Sequence, residues 1–268
     1  MEDGMKLPEE LLAKAPRVNL SRRAIIKGLA AGTVFPIVSG CVTLVSDQQL
    51  ADVSASAWTE LKQQNPETSD PRIRGQVLDT WDRVVAQTPK ANEEWEVRVF
   101  DDATANAFVM PGNRVGVYRG MVELTENNDQ LSAVMGHEVG HAVKQHAAQR
   151  ANRQILSQLA LGAATIAVGQ SETLRQYQNQ IGLIGGAALQ FGVILPFSRQ
   201  HETESDILGA DYMYAAGYDV TQSVRLWELM DARSQGQRPP EFMSTHPDPA
   251  RRAQDLRNYI NQQGYALV

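Results

Sequence analysis

Three of the chain's five histidines fall within one short stretch, MGHEVGHAVKQH, Met135 to His146. Two of them bracket a glutamate in the pattern HExxH. On a helix, His141 follows His137 by about 40° and one turn of rise, so both imidazoles face the same way. A pair of imidazoles at this spacing can hold one cation. The same spacing on a strand would also share a face but would stand too far apart along the chain. Glu138 falls at about 100°, flanking such a cation, where a carboxylate can take a proton from water. His146 falls at about 180° from His137, so a continuous helix keeps it out of the site, as a packing or outer residue. The bland alternative is a core helix whose imidazoles are satisfied by ordinary hydrogen bonds.

A catalytic zinc needs a third protein ligand and an open position. The segment FSRQHETESD supplies candidates. Glu202 and Asp206 are spaced i, i+4 and share a face, so Glu202 could bind the metal while Asp206 accepts the N–H of a ligand histidine. His201 competes as a ligand on spacing alone. Glu204 points away from Asp206. A solvated acidic helix face is the plain alternative, and the HExxH pair weighs against it. Two imidazoles, a carboxylate and an open position favour zinc among divalent ions.

The elements that position these residues are legible in outline. Ser46 or Asp47 caps a first helix, and Asp70–Pro71 opens a second with a cap followed by proline. Glu94–Phe100 alternates as a strand, and NAFVMPGNRVGVYRG reads as two short strands about Pro111–Gly112–Asn113. The HExxH helix starts near Asn128–Asp129 with an apolar stripe of Leu131, Val134, Met135, Ala142 and Val143. A helix carrying Glu202 ends at Gly217, and another spans Val220–Ala232. Two apolar stretches, 159–169 and 181–196, are short for a membrane span and read as core helices, with a groove-forming or membrane-surface pair as the alternative. Asn106, Ala107, Phe108 and Val109 form an extended segment that could present an edge to a substrate strand; a structural hairpin is the simpler alternative.

The chain has 268 residues and a net charge of −6, and most of its basic residues outside the leader are not grouped into a stripe. That balance and the absence of interleaved aromatics exclude nucleic acid as an expected partner. The segment SRRAIIKGLAAGTVFPIVSGC has the order of an export signal: twin arginines, an apolar run too short to span a bilayer, then small residues. VSGC resembles a lipobox, which makes Cys41 the acylated residue and 1–40 a removed signal, leaving 41–268 as a single domain. Val42 stands where an aspartate would favour the inner membrane, so the outer membrane is expected, with the inner membrane the alternative. An uncleaved signal anchor with a free cysteine is the other reading. No part of the sequence specifies an oligomeric state.

HEVGH, then FSRxxExxxD, then STHP together resemble the gluzincin metallopeptidases of the CAAX prenyl-protease and HtpX family, and within it the periplasmic, LoiP/BepA-like lipoprotein branch. NAFVMPGN resembles the family's NAFxxPGG, with Asn113 for the last glycine. ESDILGADYMYAAGYD resembles EADxxGxxYMxxAGYD, with Ser205 for alanine. The likeness covers Trp95 to Arg252, and the short stretch beyond Gly264 fits the form that carries no tetratricopeptide domain. It implies an α+β, predominantly helical zincin-type domain with a small β-sheet beside the HExxH helix. It implies one zinc ion per chain, held by His137, His141 and Glu202, with Glu138 as general base. His246 of STHP matches a histidine that either stabilises the oxyanion or occupies the metal's fourth position in a latent state. The activity implied is endopeptidase action on unfolded or misassembled periplasmic and outer-membrane proteins, from a lipid anchor facing the periplasm. A latent, chaperone-like assembly factor and a zinc hydrolase acting on another bond remain as alternatives.

Overall fold

The structure is a computed structural model and describes residues 45–167, 197–234 and 240–265, without the side chains of 158–167. Cys41, the leader and the apolar stretch 181–196 lie outside the described residues; of 159–169, only the backbone to Ala167 is described. The elements in chain order are α1 (Asp47–Gln64), α2 (Pro71–Val85), β1 (Glu96–Phe100), β2 (Ala107–Met110), β3 (Arg114–Tyr118), α3 (Arg119–Leu124), α4 (Asn128–Val143), α5 (His146–Ala167), α6 (Arg199–Ala215), α7 (Thr221–Ser234), α8 (Phe242–Thr245) and α9 (Pro249–Gln263). The domain is α+β and mostly helical, with one small sheet. No helix among the described residues is long and apolar enough to cross a membrane.

Local chemistry explains the boundaries. Ser46 caps α1 through a full capping box with Gln49, satisfying two otherwise orphaned donors. Asp70 caps α2, with Pro71 at the position where a missing N–H costs nothing. β2 and β3 form a hairpin whose turn needs positive φ at Gly112 (85°) and Asn113 (56°), both residue types that tolerate it. β1 pairs with β3 in parallel, giving the order β1-β3-β2 and leaving β2 at the edge.

α4 sits at the centre. Every residue from Gln130 to His141 is buried, so the helix is covered all round and not on one stripe alone. It packs against α6 by unusually close backbone approach. A Cβ added at Gly136 would lie 2.9 Å from the Cα and carbonyl oxygen of Gly209, and one at Gly140 would lie 3.0 Å from the Cα of Ser205. Small residues four apart on both helices thus let the two axes come together. Around this pair the core gathers Trp81, Val117, Met121, Leu131, Met135, Met213, Trp227 and Leu256. A separate cluster of Trp58, Phe100 and Met110 joins α1 to the sheet.

Candidate metal centre

The close α4–α6 crossing puts Glu202, in the first turn of α6, opposite the two imidazoles of α4. His137 Nε2 and His141 Nε2 lie 2.9 Å apart, and Glu202 oxygens lie 3.6 Å from the first and 3.5 Å from the second. His246, just after α8, places Nδ1 3.0 Å from His137 Nε2 and 3.2 Å from Glu202 Oε1. These four are the metal-competent group among the described residues, and all are buried. Ligands about 2.0–2.1 Å from a tetrahedral zinc stand roughly 3.3 Å from one another. The distances seen here, 2.9 to 3.6 Å, bracket that edge. The residues fit zinc in donor type as well: imidazole nitrogens and a carboxylate, gathered where no solvent could satisfy them.

Each group's state follows from its surroundings. Burial, reinforced by Arg252, drives His137 well below its ordinary pKa, and burial with His137 does the same to His141. Both are therefore neutral, as a metal ligand must be. Burial alone would raise Glu202, but Arg252 and His246 beside it hold its carboxyl well below the usual range. Burial pushes Glu138 up to about 7, the range suited to a general base at neutral pH. Glu138 Oε2 accepts a hydrogen bond from Val109 N at 2.9 Å. Its Oε1 has no hydrogen-bond partner and lies 3.4 Å from His246 Nε2.

The outer contacts hold the imidazoles. His137 Nδ1 lies 3.0 Å from Asp206 Oδ1 and 2.9 Å from Arg252 Nη2. Only pairing with the carboxylate leaves an Nε2 lone pair for a cation, which is the tautomer a metal site requires. Arg252 in turn donates to Asp206 at 2.5 and 2.7 Å, pairs with Glu202 at 2.5 Å and lies over the Trp227 ring at 3.4 Å. Burial would lower its pKa, yet Asp206 and Glu202 keep it charged. His141 stacks on Phe197 at 3.9 Å. His246 is stacked between Phe242 and Phe197, and its backbone N–H donates to Phe242 O.

Sequence reasoning placed His137, Glu138, His141, Glu202 and Asp206 on the faces where they are found, and His246 joins them through a loop whose reach no spacing rule gives. Two further side chains flank the group without joining it. His146 has the outer place its angle implies, but reaches it by a break in the helix: α4 ends at Val143 and Gln145 takes φ 53°. The chain turns back, and His146 Nδ1 lies 2.9 Å from His141 Nδ1. Glu204 is outside the metal group, as expected, and meets His146 Nε2 at 3.0 Å. His201, the competing ligand, is outside the metal group and stacks on His146 at 4.2 Å. Arg252 was missed. Its signal was its place in the apolar stripe of α9, four before Leu256 and eight before Ile260, where a surface arginine does not belong. Of the extended segment, Asn106 precedes β2 while Ala107, Phe108 and Val109 lie in it.

The sequence model of peptidase family M48 matches residues 68–260. The chain belongs to this family. It is 34% identical over 182 residues to the mitochondrial metalloendopeptidase OMA1 of Schizosaccharomyces pombe, covering 66% of this chain and 50% of that protein. It is 34% identical over 226 residues to the mitochondrial metalloendopeptidase OMA1 of Danio rerio, covering 80% of this chain and 46% of the relative. It is 26% identical over 209 residues to the beta-barrel assembly-enhancing protease of Escherichia coli K12, covering 76% of this chain and 42% of the relative. The chain thus spans about half the length of these relatives or less.

Proposed function

We propose that this member of peptidase family M48 is a zinc-dependent endopeptidase that cleaves unfolded or misassembled proteins of the cell envelope. One observation carries the chemistry: two imidazoles and a carboxylate from separate helices converge within a tetrahedral edge of one another, with a buried, partly unpartnered glutamate beside them. Zinc, when bound by His137, His141 and Glu202, supplies a Lewis acid that polarises the scissile carbonyl. Glu138 takes the proton of the attacking water on Oε1 as the water oxygen bonds to the carbonyl carbon. It then delivers that proton to the amide nitrogen as the C–N bond breaks. The Val109 N–H holds Oε2 and so aims the carboxylate. His246, beside Glu138 and the ligands, is placed to donate to the developing oxyanion.

β2 supports a peptide substrate. Its inner edge pairs with β3. On the outward row, the Val109 N–H is taken by Glu138 and the Ala105 carbonyl by Phe242 N. Ala107, between them on the same row, is buried, so pairing a substrate strand with its N–H and carbonyl requires the cover over this edge to move aside. Backbone pairing of this kind needs extended, unfolded chain and places few demands on side chains.

The envelope assignment draws on the leader pattern ending at Cys41 and on the likeness to a beta-barrel assembly-enhancing protease. On this reading the protein is a lipoprotein on the periplasmic face of the outer membrane, and its substrates are periplasmic or outer-membrane polypeptides. Membrane fractionation tests the anchor: Cys41→Ser is expected in the soluble periplasmic fraction, and equal membrane retention would count against it.

A second reading is favoured by the position of His246 Nδ1, close to both His137 and Glu202. As a fourth zinc ligand it would hold the enzyme latent, with an assembly or chaperone-like role uppermost. Casein hydrolysis with and without a chelator decides the main claim. Wild type is expected to lose activity with the chelator. Glu138→Gln is expected to retain zinc and lose a factor of about 10²–10⁴ in turnover; full activity in that variant refutes the assignment. His246→Ala loses activity if the histidine is catalytic and gains it if the histidine enforces latency.

A further inference from the structure

We infer that His146 is a positioning residue for His141, and that His146 and Glu204 together fix the tautomer and ring orientation through which His141 meets the metal. The inference rests on the zinc reading of the site. His141 Nε2 faces the metal group, so its ring can serve only if Nδ1 carries the proton and finds an acceptor. That acceptor is His146 Nδ1 at 2.9 Å.

The direction of the relay is set from its far end. His146 Nε2 lies 3.0 Å from Glu204 Oε2. A carboxylate accepts and does not donate, so Nε2 of His146 carries the proton and Nδ1 keeps its lone pair. The His141 Nδ1–H then has the one partner it needs. Gln200 donates to the other Glu204 oxygen at 2.9 Å, steadying the carboxylate at the start of α6. The His146 ring has little freedom to turn: it is fully buried, lies parallel to His201 at 4.2 Å with 15° between planes, and has Ser205 Oγ 3.3 Å from Nδ1.

The backbone shows the same purpose. Gln145 is one of three non-glycine residues at positive φ among the described residues. Without that left-handed step, α4 would continue and carry position 146 to its far side. The step costs some backbone strain, and its result is a second imidazole set against the ligand. The two ligand histidines are thus braced by different means: His137 by Asp206 from α6, and His141 by an imidazole backed by a carboxylate of α6.

The test compares zinc affinity, by competition with a chromophoric chelator, and the visible spectrum of the cobalt-substituted protein. His146→Phe keeps the ring and removes the acceptor; zinc binding is expected to weaken about 10–100-fold and the cobalt bands to change. His146→Asn offers an amide oxygen near the position of Nδ1 and is expected to recover most of that loss. Glu204→Ala, at a partly exposed position, is expected to weaken zinc roughly tenfold, and it decides alone if His146→Phe does not fold. Wild-type zinc affinity in both His146→Phe and Glu204→Ala would overturn the relay while leaving the zinc site standing. So would a loss that is the same in His146→Asn as in His146→Phe and merely follows the drop in Tm. Wild type that binds no zinc would bring down the reading of the site itself.

Discussion

Two regions of this domain are buried by opposite means. Where α4 crosses α6, glycines and a serine bring backbones together, and the space beside them is filled with imidazoles, carboxylates and Arg252. Where α1 meets the sheet, Trp58 stands edge-on to Phe100 at 6.0 Å and to Phe108 at 6.4 Å, and polar contacts stay at the rim. The aromatic layer gains stability from apolar area. The crossing spends part of its burial on charged groups, which are costly out of water unless each is paired. Stability and metal binding should therefore be separable by mutation.

Trp58→Ala tests one side and should have the largest effect on stability. Trp58 is 1% exposed, and removing it should cost about 3–5 kcal/mol in urea unfolding. Zinc bound per folded molecule should not change; a large fall would show that the two regions are coupled. Gly136→Ala tests the other. The new methyl meets the Gly209 backbone at 2.9 Å, and no rotamer relieves a clash with main chain. Stability should fall by about 1–3 kcal/mol, less than for Trp58→Ala, yet zinc affinity should fall at least tenfold because His137 is the next residue. Equal zinc affinity in wild type and Gly136→Ala would mean that the close crossing does not set the site.

Glu96→Gln at the rim should have the smallest effect. Burial raises the Glu96 carboxyl, but hydrogen bonds from Lys62, Arg98 and Trp58 outweigh it and bring the pKa to about 2. A carboxylate depressed in the folded state stabilises above its unfolded pKa, about 4.3, and loses that contribution as pH falls towards 2. The group is a third exposed, so the cost at pH 7 should stay under about 1 kcal/mol. The gap between wild type and variant in urea midpoint should narrow at pH 3; a gap that widens in acid would contradict the cause assigned here.

Much of this was legible in the sequence where chemistry is local. The HExxH face, the caps at Ser46 and Asp70, the hairpin turn at Gly112–Asn113 and the i, i+4 pair Glu202/Asp206 each follow from rules that act within a few residues. What failed to show needed tertiary knowledge. The outer place of His146 follows from helix angles, but its contact with His141 depends on the break at Gln145, which neither glycine nor proline marks. Arg252 meets His137 across 115 positions, and only its place in an apolar stripe hints at burial. The glycines of α4 and the Ser205/Gly209 pair of α6 are each unremarkable alone; their meaning appears when the two helices are set against each other.

α4 and α6 meet so that His137, His141 and Glu202 can hold one cation. A crystal structure of the zinc-loaded protein, with anomalous scattering measured on both sides of the zinc edge, tests it most directly. One zinc peak bonded to Nε2 of both histidines and to the Glu202 carboxylate is expected. A zinc bound elsewhere, or a site in which position 202 takes no part, would contradict it.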